Sequence, residues 1–392
     1  MFLSKSTRSK RKKKVKNNDK SERKKKNNTK KGKDKERSER VRKARAEYKK
    51  EEAKEAAGGT TGGTTAAGTT GSGPSDLEDK DKGSKFDKKK KEETPPPPKP
   101  DPWSGEEAAK RMLATGVFSE FSTIMTELCS IKPTQDDCPV FKQNIEKIRA
   151  PDMPILDDKL VKLKHADNFI CAAKVAVPEF TRTMILTQVP DVTNAPNIED
   201  FWRMIFHEEV VSVVIAMMPL ECSVTLQQLF PIGSGTFANH GKMFINNKKV
   251  GSAVGMTSYT LELLPDGCSN SVTTTVYHLH NWRQKRGLDN VNELVTTLDT
   301  VVKSNENTVF VSMNGVGRAG TMLGIFTAMV HINKDRNVKM KEILDKLRLE
   351  RCGIVESAEQ YVTIHKALAL WFKKKSQDEE IVKKVAEFSP SL

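Results

Sequence analysis

The chain has 392 residues and a formal net charge of +15, but residues 1–100 alone hold 33 Lys and Arg against 16 Asp and Glu. The remainder, with 33 basic and 35 acidic residues, is close to neutral. That asymmetry excludes one basic nucleic-acid-binding domain spread over the whole chain and indicates a cationic arm joined to an ordinary body.

The arm, residues 1–101, contains Phe2, Tyr48 and Phe86 as its only aromatics. It cannot bury enough apolar surface to offset chain entropy, so disorder is expected. Lys10–Lys14 and Arg23–Lys26 are blocks of like charge. Residues 5–50 therefore suit nuclear import or contact with nucleic acid or an anionic membrane, the bland alternative being a solvated tail. Glu39–Ala57 is compatible with a fraying helix, Gly58–Gly73 reads as a flexible linker, and Pro95–Pro98 as a polyproline spacer.

The body, residues 102–375, is long enough for one sizeable core. Ser104-Gly105-Glu106-Glu107 has the form of a capping box and opens a helical pattern that continues in pieces to about Cys129. Next come β-rich runs at Phe169–Ala173, Met184–Thr187, Val210–Ala216, Lys242–Ile245, Ser258–Leu264, Thr273–His280 and Thr308–Val311. They are interleaved with helical stretches at Ile198–His207, Val291–Ser304, Arg318–Asn333, Met340–Leu349 and Ser357–Phe372. This alternation predicts an α/β or α+β fold with helices on both faces of one sheet. Lys373–Lys375 would complement the end of the last helix, and residues 376–392 are read as a C-terminal tail.

Cys129, Cys138, Cys171, Cys222, Cys268 and Cys352 lie far apart, without CxxC spacing. With no secretory signal, they are expected to be reduced thiols of a cytoplasmic or nuclear protein. The longest apolar run, Val210–Leu220, is half a membrane span. No His, Cys and carboxylate grouping has metal-site spacing, and neither a metal nor a cofactor is expected.

The most informative stretch is Thr308–Thr321, a β run followed by Ser312-Met313-Asn314-Gly315-Val316-Gly317-Arg318 and then an apolar helix. Successive backbone N–H groups, a helix N-terminus and an Arg fork form a cradle for a tetrahedral dianion. This stretch resembles the signature of the protein tyrosine phosphatase family: His-Cys, five residues, then Arg, Ser or Thr, and Gly. Several further segments fall in the family's order. Asn168–Ala172 is similar to its Asp-Tyr-Ile-Asn-Ala segment, and Leu186–Pro190 with Asn197–Trp202 to its Thr-Gln-Gly-Pro and Glu-Asp-Phe-Trp pair. Leu229-Phe230-Pro231 stands where Tyr-Trp-Pro would, Trp282 would begin the mobile acid loop, and Gln360-Tyr361 fall in the late Gln-rich loop. The resemblance covers about residues 115–373 and implies a central, highly twisted mixed β-sheet flanked by helices.

Position by position, the resemblance also implies lost chemistry. The nucleophile position is Ser312, and no Cys has an Arg six residues later. A thiolate forms readily at such a loop, whereas a hydroxyl needs a general base. The neighbouring His is Val311, the Ser or Thr after the Arg is Ala319, and the general acid Asp is Gln284. The water-positioning Gln is Glu356, whose charge would repel phosphate, and the Tyr that would stack on the substrate ring is Ala150. Asp152 retains the acidic group that would hold the substrate backbone, and with Trp282 and Gln360 completes the expected recognition set.

The expectation is an inactive, phosphatase-like domain acting by phosphotyrosine binding or as a scaffold, with a phosphotyrosine protein or another signalling protein as partner. One alternative is an active phosphatase using Ser312 or a bound water, with His278 or His280 as the base. Another makes the basic arm the working element, with nucleic acid or acidic membrane as its target.

Overall fold

In the computed structural model the described residues are 103–114, 121–164 and 169–388. The expectations for the basic arm lie outside them.

The centre of the molecule follows from two β-branched runs. β8 (Thr308–Ser312) and β3 (Ser212–Ala216) are buried at every position, the pattern of strands covered on both faces. They lie side by side within an eight-stranded sheet of order β1-β2-β8-β3-β7-β6-β5-β4. Its other strands are β1 (Ala172–Val175), β2 (Met184–Gln188), β4 (Phe237–His240), β5 (Met243–Ala253), β6 (Met256–Pro265) and β7 (Val272–Leu279). β2, β8, β3 and β7 run parallel to one another, and the remaining pairings are antiparallel, so the sheet is mixed.

Period-two alternation divides the core in two. Val309 and Val311 of β8, with Val213 and Ile215 of β3, pack towards Phe201, Trp202 and Ile205 of α4 (Ala195–His207). Phe310 and Val214 face the opposite layer, built from α5 (Asn292–Ser304), α6 (Gly317–Asn333), α7 (Met340–Glu350) and α8 (Ala358–Lys375). α6 is buried on nearly every side. Only a helix apolar all round tolerates that central place, and its first turn lies directly after the C-terminal end of β8. In an open sheet with parallel strands, this end is where a ligand crevice forms.

Smaller helices complete the body: α1 (Glu106–Ala114), α2 (Phe121–Ser130), α3 (Pro139–Gln143) and, after α8, α9 (Glu379–Phe388). The expected helices and most strands are present with shifted ends. The run expected at Phe169–Ala173 pairs only as β1, because Ala172–Val175 is the part in register with β2. The Lys242–Ile245 run extends to Ala253. Three elements were not expected: the five-residue α3, opened by Pro139, β4 and α9. β4 is an edge strand that alternates exposed and half-buried positions, too weak an apolar pattern to read. α9 occupies part of the expected C-terminal tail, and its Ile381 and Val385 are buried in the main core. Ser104 is also corrected: its hydroxyl donates to the Asn333 carbonyl at 3.1 Å, tying the chain before α1 to the end of α6.

Candidate functional site

The loop between β8 and α6 is shaped by local geometry. Gly315 has φ +67°, and a β-carbon there would lie 2.5 Å from the Gln188 nitrogen. A side chain would therefore meet both strain and backbone. Its N–H donates to the Ser312 carbonyl at 3.1 Å, which closes the turn. The Gly317 N–H donates to Gly353 at 3.1 Å, and Gly320 approaches so closely that a β-carbon would lie 2.7 Å from Ile354 Cα. Thus the loop and the first turn of α6 are clamped between β2 and the segment before Glu356.

Arg318 is only 2% exposed. Its guanidinium meets both carboxylate oxygens of Glu221, at 2.9 and 2.5 Å, and donates to the Trp282 carbonyl at 2.6 Å. This bidentate, charge-assisted pair both orients the Arg fork and neutralises it. Glu221 was missed in the sequence because it lies 97 residues from Arg318 with no local pattern to mark it.

Ser312, 3% exposed, directs its hydroxyl to the Val316 carbonyl at 3.2 Å. Val311 and Met313 are buried with the α4-side core, and Ala319 with the opposite one. Val316 is 1% exposed. Of the loop's side chains, Asn314 lines the adjoining cleft, of about 360 Å³, together with Ala150, Asp152, Gln284 and Glu356. Arg149, Met153 and Lys285, absent from the expected set, line it as well. Arg149 is spent on the carbonyls of Val189 and Pro190, at 2.8 and 3.0 Å.

Two expected recognition residues stand elsewhere. Trp282 is fully buried and donates to the Arg286 carbonyl at 2.8 Å, so its ring anchors the loop from within. That loop is pinned to α8 by Arg286 and the Gly287 N–H, both bonded to Glu359, at 2.7 and 2.9 Å. Gln360 is also fully buried; its Oε1 accepts from the Glu356 N–H at 2.8 Å, and it braces that residue from behind. Both sit one layer behind the cleft because large side chains fill the packed interface between the loop and α8.

Burial pushes the Glu356 carboxyl above the usual carboxylate range, while Lys285 and Arg318 pull it partly back and Asp152 adds to the rise. The buried thiols of Cys138 and Cys171 are pushed up to about 11, chiefly by desolvation, which leaves them protonated and unreactive. Among the described residues no group of three or more His, Cys, Asp or Glu is placed to hold a metal ion, and no helix is long and apolar enough to cross a membrane.

His278, weighed in the sequence as a base, is 5% exposed, with Nε2 2.8 Å from the Met217 carbonyl. A carbonyl only accepts, so Nε2 carries the proton. Desolvation, the largest effect, pushes its pKa down to about 4. The folded pKa lies below the unfolded one, so the stability due to a neutral His278 is complete above pH 6.5 and is lost as pH falls towards 4. A shift of this size corresponds to on the order of 3 kcal/mol. In urea titrations the unfolding midpoint should drop between pH 6.5 and 4.5, and His278→Gln, which keeps an N–H for Met217, should flatten part of that fall. An equally steep fall in the variant would assign the acid lability to other groups, such as His365, which burial pushes to about 3.

Comparison with known proteins agrees with this arrangement. A family profile described as protein-tyrosine phosphatase matches residues 144–370. A Caenorhabditis elegans protein named "Putative tyrosine-protein phosphatase" is 59% identical over 294 residues, covering 74% of this chain and 73% of that protein. The rat tyrosine-protein phosphatase non-receptor type 2 is 27% identical over 266 residues, 64% of this chain and 61% of its own length. A receptor-type tyrosine-protein phosphatase of Caenorhabditis elegans is 25% identical over 277 residues, only 19% of its length.

Proposed function

We propose, from the premise that this chain belongs to the protein-tyrosine phosphatase family, that it is a non-hydrolysing member that acts by binding. The observation that carries the proposal is Ser312. It occupies the place from which the family's nucleophile would attack, and its hydroxyl is engaged with the Val316 carbonyl at 3.2 Å. A serine there needs a base, and the neighbour in β8 is Val311, buried in apolar core.

The other side of the cleft supports the same reading. Gln284 lines it in the acid loop, and an amide cannot deliver a proton to a leaving tyrosyl oxygen. General acid catalysis typically contributes 10²- to 10⁴-fold, so its loss compounds that of the nucleophile. With the scaffold intact and the chemistry gone, the remaining uses are to hold a phosphotyrosine protein or to present the outer surface to a signalling partner.

The test is phosphate release from phosphotyrosyl peptides by the full chain, compared with Ser312→Ala. Release is expected at the no-protein background in both. Turnover by the wild type that disappears in Ser312→Ala would make the chain an active phosphatase with an atypical nucleophile.

A further inference from the structure

Glu356 stands at the mouth of the loop formed by Ser312 to Arg318. A β-carbon on Gly317 would collide with its carboxylate, so that group packs directly against the first turn of α6. Here the positive end of the helix dipole attracts negative charge. An anion from the chain itself therefore rests beside the seat that a bound phosphate would take.

The position is over-determined. Arg348, itself buried, donates to the carbonyls of Ile354 and Val355 at 2.7 and 2.6 Å and also to that of Leu128. Val355 is held at φ +60°, a conformation strained for a β-branched residue. The Glu356 N–H is fixed on the buried Gln360. Three constraints aim one side chain. The charged groups facing it are Lys285 from the acid loop, Arg318 from α6, Asp152 from across the cleft and Arg348 from α7. Arg318 is already matched by Glu221 and Asp152 opposes Lys285 in sign, which leaves Arg348, engaged with three backbone carbonyls, as the one positive charge in excess near the carboxylate.

We propose that Glu356 determines the specificity of this cleft: while ionised it holds the phosphate seat closed to phosphate monoesters, and neutralising it opens the seat to phosphotyrosine. The inference rests on the reading of the chain as a non-hydrolysing family member. It assigns the exclusion to one charge on an otherwise assembled cradle. Because burial raises the Glu356 pKa, protonation begins at a less acidic pH than for an exposed carboxyl, so mild acid acts in the same direction as the Gln substitution.

The experiment titrates the full chain and Glu356→Gln with a phosphotyrosyl peptide and its unphosphorylated twin, at pH 7.5 and 5.5. Glu356→Gln should bind the phosphopeptide at least ten-fold more tightly than the wild type at pH 7.5. That ratio should narrow at pH 5.5, which removes the phosphate's own titration from the comparison because both proteins meet the same ligand. Gln has the size of Glu, so folding is not at issue. Equal affinities, a gain shared by the unphosphorylated twin, or no binding by Glu356→Gln would each overturn the proposal. Phosphate release is followed in the same samples: release by the wild type would overturn the non-hydrolysing assignment, while the affinity ratio alone decides the role of Glu356.

Discussion

Arg318→Met is expected to destabilise the fold by about 3–5 kcal/mol, the usual cost of removing one partner of a buried ion pair. The side chains of Arg318 and Glu221 are 1% and 10% exposed, respectively. Deleting the guanidinium leaves the Glu221 carboxylate without its bidentate partner and the Trp282 carbonyl without the donor at 2.6 Å. Most of the cost is the stranded charge, not the lost attraction, since desolvation offsets much of a buried pair's Coulomb energy. The double variant Arg318→Met/Glu221→Met should therefore recover a large part of the stability, although neither single variant does. Urea unfolding of the three variants and the wild type closes the cycle. A single-variant loss below about 1 kcal/mol would show the pair behaving as a solvated surface bridge.

Turnover is expected only after several substitutions are combined. Ser312→Cys alone restores a thiol at the start of a loop whose helix dipole favours the thiolate, but leaves Gln284 as a non-acid and Glu356 against the seat. Adding Glu356→Gln admits the substrate phosphate. Adding Gln284→Asp to that pair should then raise phosphate release by about 10²- to 10⁴-fold, the ordinary contribution of a general acid. Val311→His is the least rewarding addition. Val311 is fully buried beside α4, and overpacking a filled core costs about 1–3 kcal/mol. The series is read by phosphate release per active protein, with circular dichroism confirming the fold of each variant. Appreciable turnover in Ser312→Cys by itself would show the remaining positions to be of little consequence.

Most of the fold was legible because its signals are local. The β-branched runs of β3 and β8, the apolar α6 and the glycine-bearing loop between β8 and α6 each declare themselves within a few residues, and their order is the family's. The weak elements were not legible for the converse reason. β4 carries little apolar alternation, and α9 shows chiefly charges around the two side chains that the core takes up.

The cleft divides in the same way. Residue identity determined the absence of a thiol at 312, an imidazole at 311 and a carboxyl at 284, since a missing functional group needs no coordinates to be noticed. Only the tertiary structure decided that Glu221 holds Arg318 across 97 residues, that Trp282 and Gln360 support the cleft from behind, and that Glu356 rests on Gly317. These are outcomes of packing between segments far apart in the chain. The backbone strain at Val355 and the burial of Arg348 arise only when those segments close on one another, so the pattern along the chain carries no trace of them.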